Sequence, residues 1–241
     1  MKIKEKIYMD KQALLENGPI NIVVLGDSVS HGSFLEGIDF ENVYWNLLRK
    51  KIIAVKTYVP VSVVNLGVGG ITADMALKYT VKRVSSYSPD LVIVCFGLND
   101  INGELETYLS SLKSIFEECI ASGAEVIFMT PNMLNTYVAE DTLEHIKEYA
   151  AITAEYQNSG KMDEYIYSAK KLALDMGIEV CDCYSKWKEL SKTQDTTQML
   201  INRINHPDYK MHEMFADELF KVIFGEDVEI STVTENTMYE K

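Results

Sequence analysis

The chain has 241 residues, 47% apolar and 24% charged, which is ordinary globular composition and enough for one substantial core. A formal net charge of -13 argues against nucleic acid or an anionic membrane surface as partner, because binding phosphate depends on clustered Lys and Arg. The opening Met-Lys-Ile-Lys-Glu-Lys lacks the apolar stretch of a signal peptide, and runs such as 91–96 are too short to cross a bilayer. The expectation is a soluble cytoplasmic protein with a neutral substrate.

In chain order, short runs rich in Val and Ile lie at 20–25, 61–66, 91–96, 125–130 and 178–183. They read as buried parallel strands. Longer stretches with helical spacing lie between them, clearest from Leu105 to Ile120, where apolar residues recur at three- and four-residue steps before Gly123. Strand and helix in alternation imply right-handed βαβ units, hence helices on both faces of a parallel sheet. Residues 132–160 interrupt this alternation, look helical and contribute no strand. Such an insertion at the carboxyl end of a strand either shapes a substrate pocket or merely extends the core with an extra helix. A last helix is expected over 211–224, and the polar, acidic residues after Gly225 are expected to be loosely held. Cys95, Cys119, Cys181 and Cys183 read as buried thiols. The C-x-C pair, without a second Cys or His cluster, is a weak metal signal.

The first strand runs directly into Gly26-Asp27-Ser28, which sets a serine at the carboxyl edge of a sheet, where open α/β folds bind ligands. A hydroxyl there does chemistry only with a base and an oxyanion site nearby. Three further segments could supply them. Asn65-Leu-Gly-Val-Gly-Gly70 follows the second strand, with glycines that let backbone N–H groups approach a ligand. Gly97-Leu-Asn99-Asp100 follows the third, and Asn205-His206-Pro-Asp208 precedes the last helix. Singly, each is explained by turn and cap chemistry. Their joint appearance, each after a strand or before a helix, is not.

These four blocks resemble the SGNH, or GDSL-type, serine hydrolases, and the resemblance covers nearly the whole chain. It is carried by Gly26-Asp-Ser28, Asn65 to Gly70, Gly97-Leu-Asn99-Asp100 and His206-Pro, with Met211-His-Glu-Met-Phe-Ala similar to the family's closing helix. The resemblance implies a single domain over 1–241 with a three-layer α/β/α, flavodoxin-like sheet of five parallel strands. It implies Ser28 as nucleophile, His206 as general base, and an oxyanion hole of the Ser28 and Gly70 N–H groups and the Asn99 amide. No cofactor or metal is implied.

One position departs from the family pattern. Where an aspartate commonly stands three residues before the histidine, this chain has Arg203, which cannot accept the imidazole N–H. The alternatives are a backbone carbonyl near Asn202, which would make a Ser-His dyad, or the side chains of Asn202, Asn205, Asp208 or Asp182. The dyad is the favoured expectation. Of the remaining candidates, Asp27 and Asp100 are expected to hold turns, His31 to cap or pack the first helix, His212 to be structural and His145 to lie on a helix surface. No histidine pair has metal-ligand spacing with a carboxylate partner.

The expected function is a serine esterase acting on small acyl esters, acetylated sugars in first place. Lysophospholipase, thioesterase and arylesterase activities use the same mechanism, and a non-catalytic binding relative is the reading from a different class. A dinucleotide site fails because Gly67, Gly69 and Gly70 follow the second strand with the wrong spacing. An α/β-hydrolase reading fails because the serine lacks the G-x-S-x-G elbow.

Overall fold

A computed structural model describes residues 2–56 and 58–225. The expectation about residues after Gly225 lies outside the described residues. Two helices, α1 (Lys2–Ile7) and α2 (Lys11–Asn17), precede strand β1 (Ile20–Gly26), whose end turns into the single-turn helix α3 (Ser28–His31). A short hairpin, β2 (Ser33–Phe34) and β3 (Gly37–Ile38), leads to α4 (Tyr44–Val55). Then follow β4 (Val61–Asn65), α5 (Ala73–Tyr79), β5 (Leu91–Cys95), α6 (Leu105–Ala121) and β6 (Glu125–Met129). The chain closes with α7 (Lys147–Asn158), α8 (Lys161–Asp175), β7 (Glu179–Cys181), α9 (Cys183–Leu190) and α10 (Tyr209–Phe224).

The main sheet has five strands in the order β4-β1-β5-β6-β7, all parallel. Every residue of β5 is buried, as are all but Asn21 of β1 and all but Glu125 of β6, which is why these runs are continuously apolar rather than alternating. Helices α4 and α10 pack together on one face, while α5, α6 and α8 line the other. The result is the expected three-layer sandwich. Chain order reverses beside β1, so the crevice between the carboxyl ends of β1 and β5 is the topological switch point, where such sheets bind ligands.

The segment 132–160 differs from its expectation in its first half. Residues 132–143 form an irregular strap, and helix begins only with a short turn at Glu144–Ile146 and α7. Its Met133, Leu134 and Ala139 are buried, so apolar content that suggested a helix serves an extended segment fixed by side-chain hydrogen bonds. All four cysteines are free and buried. Among the described residues, no helix is long and apolar enough to cross a membrane.

Candidate active site

Strand β1 delivers Ser28 through Asp27, whose carboxylate accepts the Val29 N–H at 3.0 Å and caps α3. The Ser28 hydroxyl oxygen lies 2.9 Å from His206 Nε2, joining residues 178 positions apart in sequence. The turn after β4 closes over the serine from one side. A Cβ added to Gly67 would lie 2.8 Å from the His31 backbone nitrogen, so only glycine allows this approach. Gly70 takes φ +77°, a conformation that L side chains rarely adopt. A Cβ on Gly69 would sit 3.9 Å from Ser28 Cβ and 3.8 Å from His31 Nδ1, which measures how closely this turn hugs α3. His31, the last residue of α3, thus packs against the glycine turn.

From the other side, the loop after β5 carries Asn99, whose Nδ2 donates to the Ile71 carbonyl at 3.1 Å. That bond uses one amide proton and ties Asn99 to the glycine turn. Asp100 accepts the Ala73 N–H at 2.8 Å and so caps α5 from across the crevice, while its Oδ2 is buried without a partner. Asp27 and Asp100 therefore hold turns. Burial pushes the Asp27 carboxyl up to about 7 against the opposing Val29 hydrogen bond, with the neighbouring Asp100 raising it further. Burial likewise raises Asp100 to about 6.

On the histidine side, burial holds the His206 imidazole below its ordinary value, so it is neutral at neutral pH and able to accept a proton. Its Nδ1 has no hydrogen-bond partner among the described residues, and the side chains proposed to orient it are engaged elsewhere. Asp208 caps α10 by accepting the Met211 N–H at 3.0 Å. Asp182 caps α9, accepts the Ser185 hydroxyl and pairs with Lys170. Asn205 Oδ1 accepts Asn202 Nδ2 at 2.9 Å. Asn202 Oδ1 accepts the backbone N–H groups of Ile204, Asn205 and His206 itself, at 3.0, 3.0 and 2.9 Å. It anchors the backbone of the histidine rather than its ring. Among the described residues no backbone carbonyl bonds Nδ1 either, so the carbonyl near Asn202 does not orient the ring in this arrangement.

Arg203 adopts φ +58° and turns outward. Its guanidinium forks onto Asp141 through Nε at 3.0 Å and Nη2 at 2.8 Å, and Nη1 donates to the carbonyls of Gln198 and Leu200. Asn132 and Asn135, from the same strap as Asp141, also bind the histidine loop. Asn132 Nδ2 donates to the Asn205 carbonyl at 2.9 Å, and the Asn135 N–H to the Ile204 carbonyl at 2.9 Å. None of Asn132, Asn135 and Asp141 stood out in the sequence. The available signal was the density of Asn and Thr over 132–136, facing Asn202 and Asn205. His212 is fully buried, with Nδ1 accepting the Tyr44 N–H at 3.2 Å, and burial pushes it down to about 3. His145 is exposed. No cluster of three or more metal-ligating side chains occurs among the described residues.

A Ser-His contact flanked by a glycine turn and an asparagine amide at a sheet's carboxyl edge defines a hydrolase-type site. The sequence profile of the GDSL-like lipase/acylhydrolase family matches residues 24–214, and the chain belongs to that family. It is a carboxylic ester hydrolase by class. Among solved structures, it is similar to Axe2, an acetylxylan esterase from Geobacillus stearothermophilus. The two are 21% identical with a TM-score of 0.66, over 87% of this chain and 96% of that one. It is also similar to LAE5, an alpha/beta hydrolase enzyme from the metagenome of Lake Arreo, Spain, at 18% identity and TM-score 0.65, over 86% and 95% of the two chains. Catalytic mutants of Axe2 replace a serine, an aspartate and a histidine, the last two three positions apart. No curated protein matches the chain significantly.

Proposed function

We propose that this protein is a serine esterase that removes small acyl groups, acetyl in first place, from carbohydrate-linked esters. The observation that carries the reading is the 2.9 Å contact between Ser28 Oγ and the neutral His206 Nε2 at the switch point of the sheet. His206 takes the Ser28 proton as Oγ attacks the ester carbonyl, and the tetrahedral oxyanion is held by the N–H groups of Ser28 and Gly70 and by the Asn99 proton not given to Ile71. His206 then protonates the leaving alcohol. Water attacks the acyl-enzyme in the mirror of that sequence, with His206 again as base.

Protonated His206 cannot serve as base, so activity falls as pH drops through its value. Burial sets that value below 6.5, and the acid limb of kcat/KM lies correspondingly low. The acetyl and carbohydrate assignment draws support from the fold likeness to an acetylxylan esterase and from the absence of a long apolar lid in the sequence.

The test is a fluorophosphonate label together with p-nitrophenyl esters from acetyl to long acyl chains, and acetylated oligosaccharides, with Ser28→Ala as control. Labelling at Ser28 and preference for short chains are expected. Preference for long chains or thioesters would move the substrate to a lysophospholipase or thioesterase class. An unlabelled, inactive protein would make it a binding relative.

A further inference from the structure

We infer that Arg203, bonded to Asp141 of the 132–143 strap, is a positioning residue that places His206 for catalysis without a carboxylate behind the imidazole. The inference rests on the Ser28–His206 reading given above. With no acid or other acceptor on its ring among the described residues, this histidine depends for its placement on its backbone, which is fixed from several directions. Asn202 accepts three consecutive N–H groups, ending at His206. The His206 carbonyl accepts the Ile201 N–H at 2.8 Å, closing the loop on itself. Asn132 and Asn135 then tie Asn205 and Ile204 to the strap.

Arg203 adds the part that sets where this loop stands. It bonds two carbonyls of its own loop, Gln198 at 3.0 Å and Leu200 at 2.7 Å, and bridges to the strap through both oxygens of Asp141. A planar fork with bidentate geometry fixes distance and angle together, which lysine could not do. The strap continues into α7, where Tyr149 Oη accepts from Asn102 Nδ2, and the same amide donates to the Asn99 carbonyl. One inserted segment therefore reaches the loop of the base and the loop of the oxyanion amide. An ion pair with one partner exposed, as Asp141 is, adds little to global stability, so loss of this one should show far more in turnover than in melting. That separation distinguishes positioning from a merely structural role.

The experiment compares Arg203→Ala, Asp141→Ala, the double variant and Arg203→Asp with wild type on p-nitrophenyl acetate. The readouts are kcat per titratable active site, KM, the pH profile and Tm. Misplacing a catalytic group by about 1 Å can cost about 10²-fold. Arg203→Ala and Asp141→Ala are therefore expected to lose about tenfold or more in kcat with KM nearly unchanged. The double variant should fall no further than the worse single one, and Tm should move by at most about 2–4 °C. Arg203→Asp should lose at least as much as Arg203→Ala, because a carboxylate at this outward-facing position meets Asp141 instead of the imidazole.

A loss below about tenfold in Arg203→Ala overturns the inference. So does a loss that tracks the fall in Tm, or an Arg203→Asp variant as active as wild type. Ser28→Ala and His206→Ala are run alongside. If either retains wild-type turnover, the Ser-His reading itself fails. If both are inactive while Arg203→Ala is unimpaired, only the positioning role fails.

Discussion

The two ends of the Ser28–His206 contact are built in different ways. Ser28 stands on regular structure: a buried central strand, a one-turn helix capped by Asp27, and flanking turns that follow adjacent strands. His206 stands on a loop between α9 and α10 with almost no regular structure, held by side chains bonding to backbone. Sheet register fixes the first end. At the second, individual hydrogen bonds replace it, so single side chains there have more leverage on geometry than their contribution to stability suggests.

The largest effect should come from cutting the contact itself. Ser28→Ala and His206→Ala are each expected to lose about 10⁴-fold or more in kcat, and the double variant should be little worse than either, since residues acting as a unit are strongly non-additive. Additive losses, measured with p-nitrophenyl acetate, would mean that the two ends act separately. Next comes Asn99→Ala at the regular end, expected to cost about 10²–10³ in turnover. It also removes the bond to the Ile71 carbonyl, worth about 1 kcal/mol in stability. Wild-type turnover in that variant would remove Asn99 from the oxyanion hole.

How much of this was legible in the sequence follows the same division. The strands read at 20–25, 61–66, 91–96, 125–130 and 178–183 match β1, β4, β5, β6 and β7 to within a residue or so at most ends; for the central β1, β5 and β6 this is because such parallel strands must be continuously apolar. Helix α6 was equally plain from its periodicity. The two-residue strands of the β2–β3 hairpin are too short to carry a period. The strap at 132–143 departs from the helical expectation because Met133 and Leu134 are buried in an extended segment that Asn132 and Asn135 hold through side-chain bonds to backbone carbonyls. Ser28, Asn99 and His206 sit at element boundaries and could be found there. The bonds of Asn202, Arg203 and Asp141 span loops, and nothing in local pattern pairs position 203 with 141.

At the irregular end, Asn202→Ala removes the acceptor of three N–H groups at once. Leaving such donors unmade costs about 1–3 kcal/mol, and the shift in the His206 backbone is expected to lower kcat by about 10- to 100-fold. Asn202→Asp keeps the acceptor oxygen and should recover most of the turnover. If Asn202→Ala falls no further than an unrelated loop variant of equal Tm loss, the base does not depend on this cradle.

The effect with the least bearing on turnover concerns protons, and it separates the two ends by sign. The regular end buries carboxyls that hold their protons: Asp27 titrates at about 7 when folded, against an ordinary 3.8. Between these values the folded state keeps a proton that the unfolded chain releases, so raising pH across this window disfavours folding. Just after the irregular loop, on α10, burial pushes His212 the other way, down to about 3 against an ordinary 6.5. There the unfolded chain binds the extra proton, so raising pH from about 3 to 6.5 favours folding. The two contributions oppose each other over most of the range from pH 4 to 6.5. Asp27→Asn preserves an oxygen for the Val29 N–H and removes only the titration at the regular end. Its Tm, relative to wild type, should therefore rise steadily as pH goes from about 4 to 7. A difference that stays flat over that range would mean that Asp27 is already ionised in the folded protein, and that the opposition between the two ends does not exist.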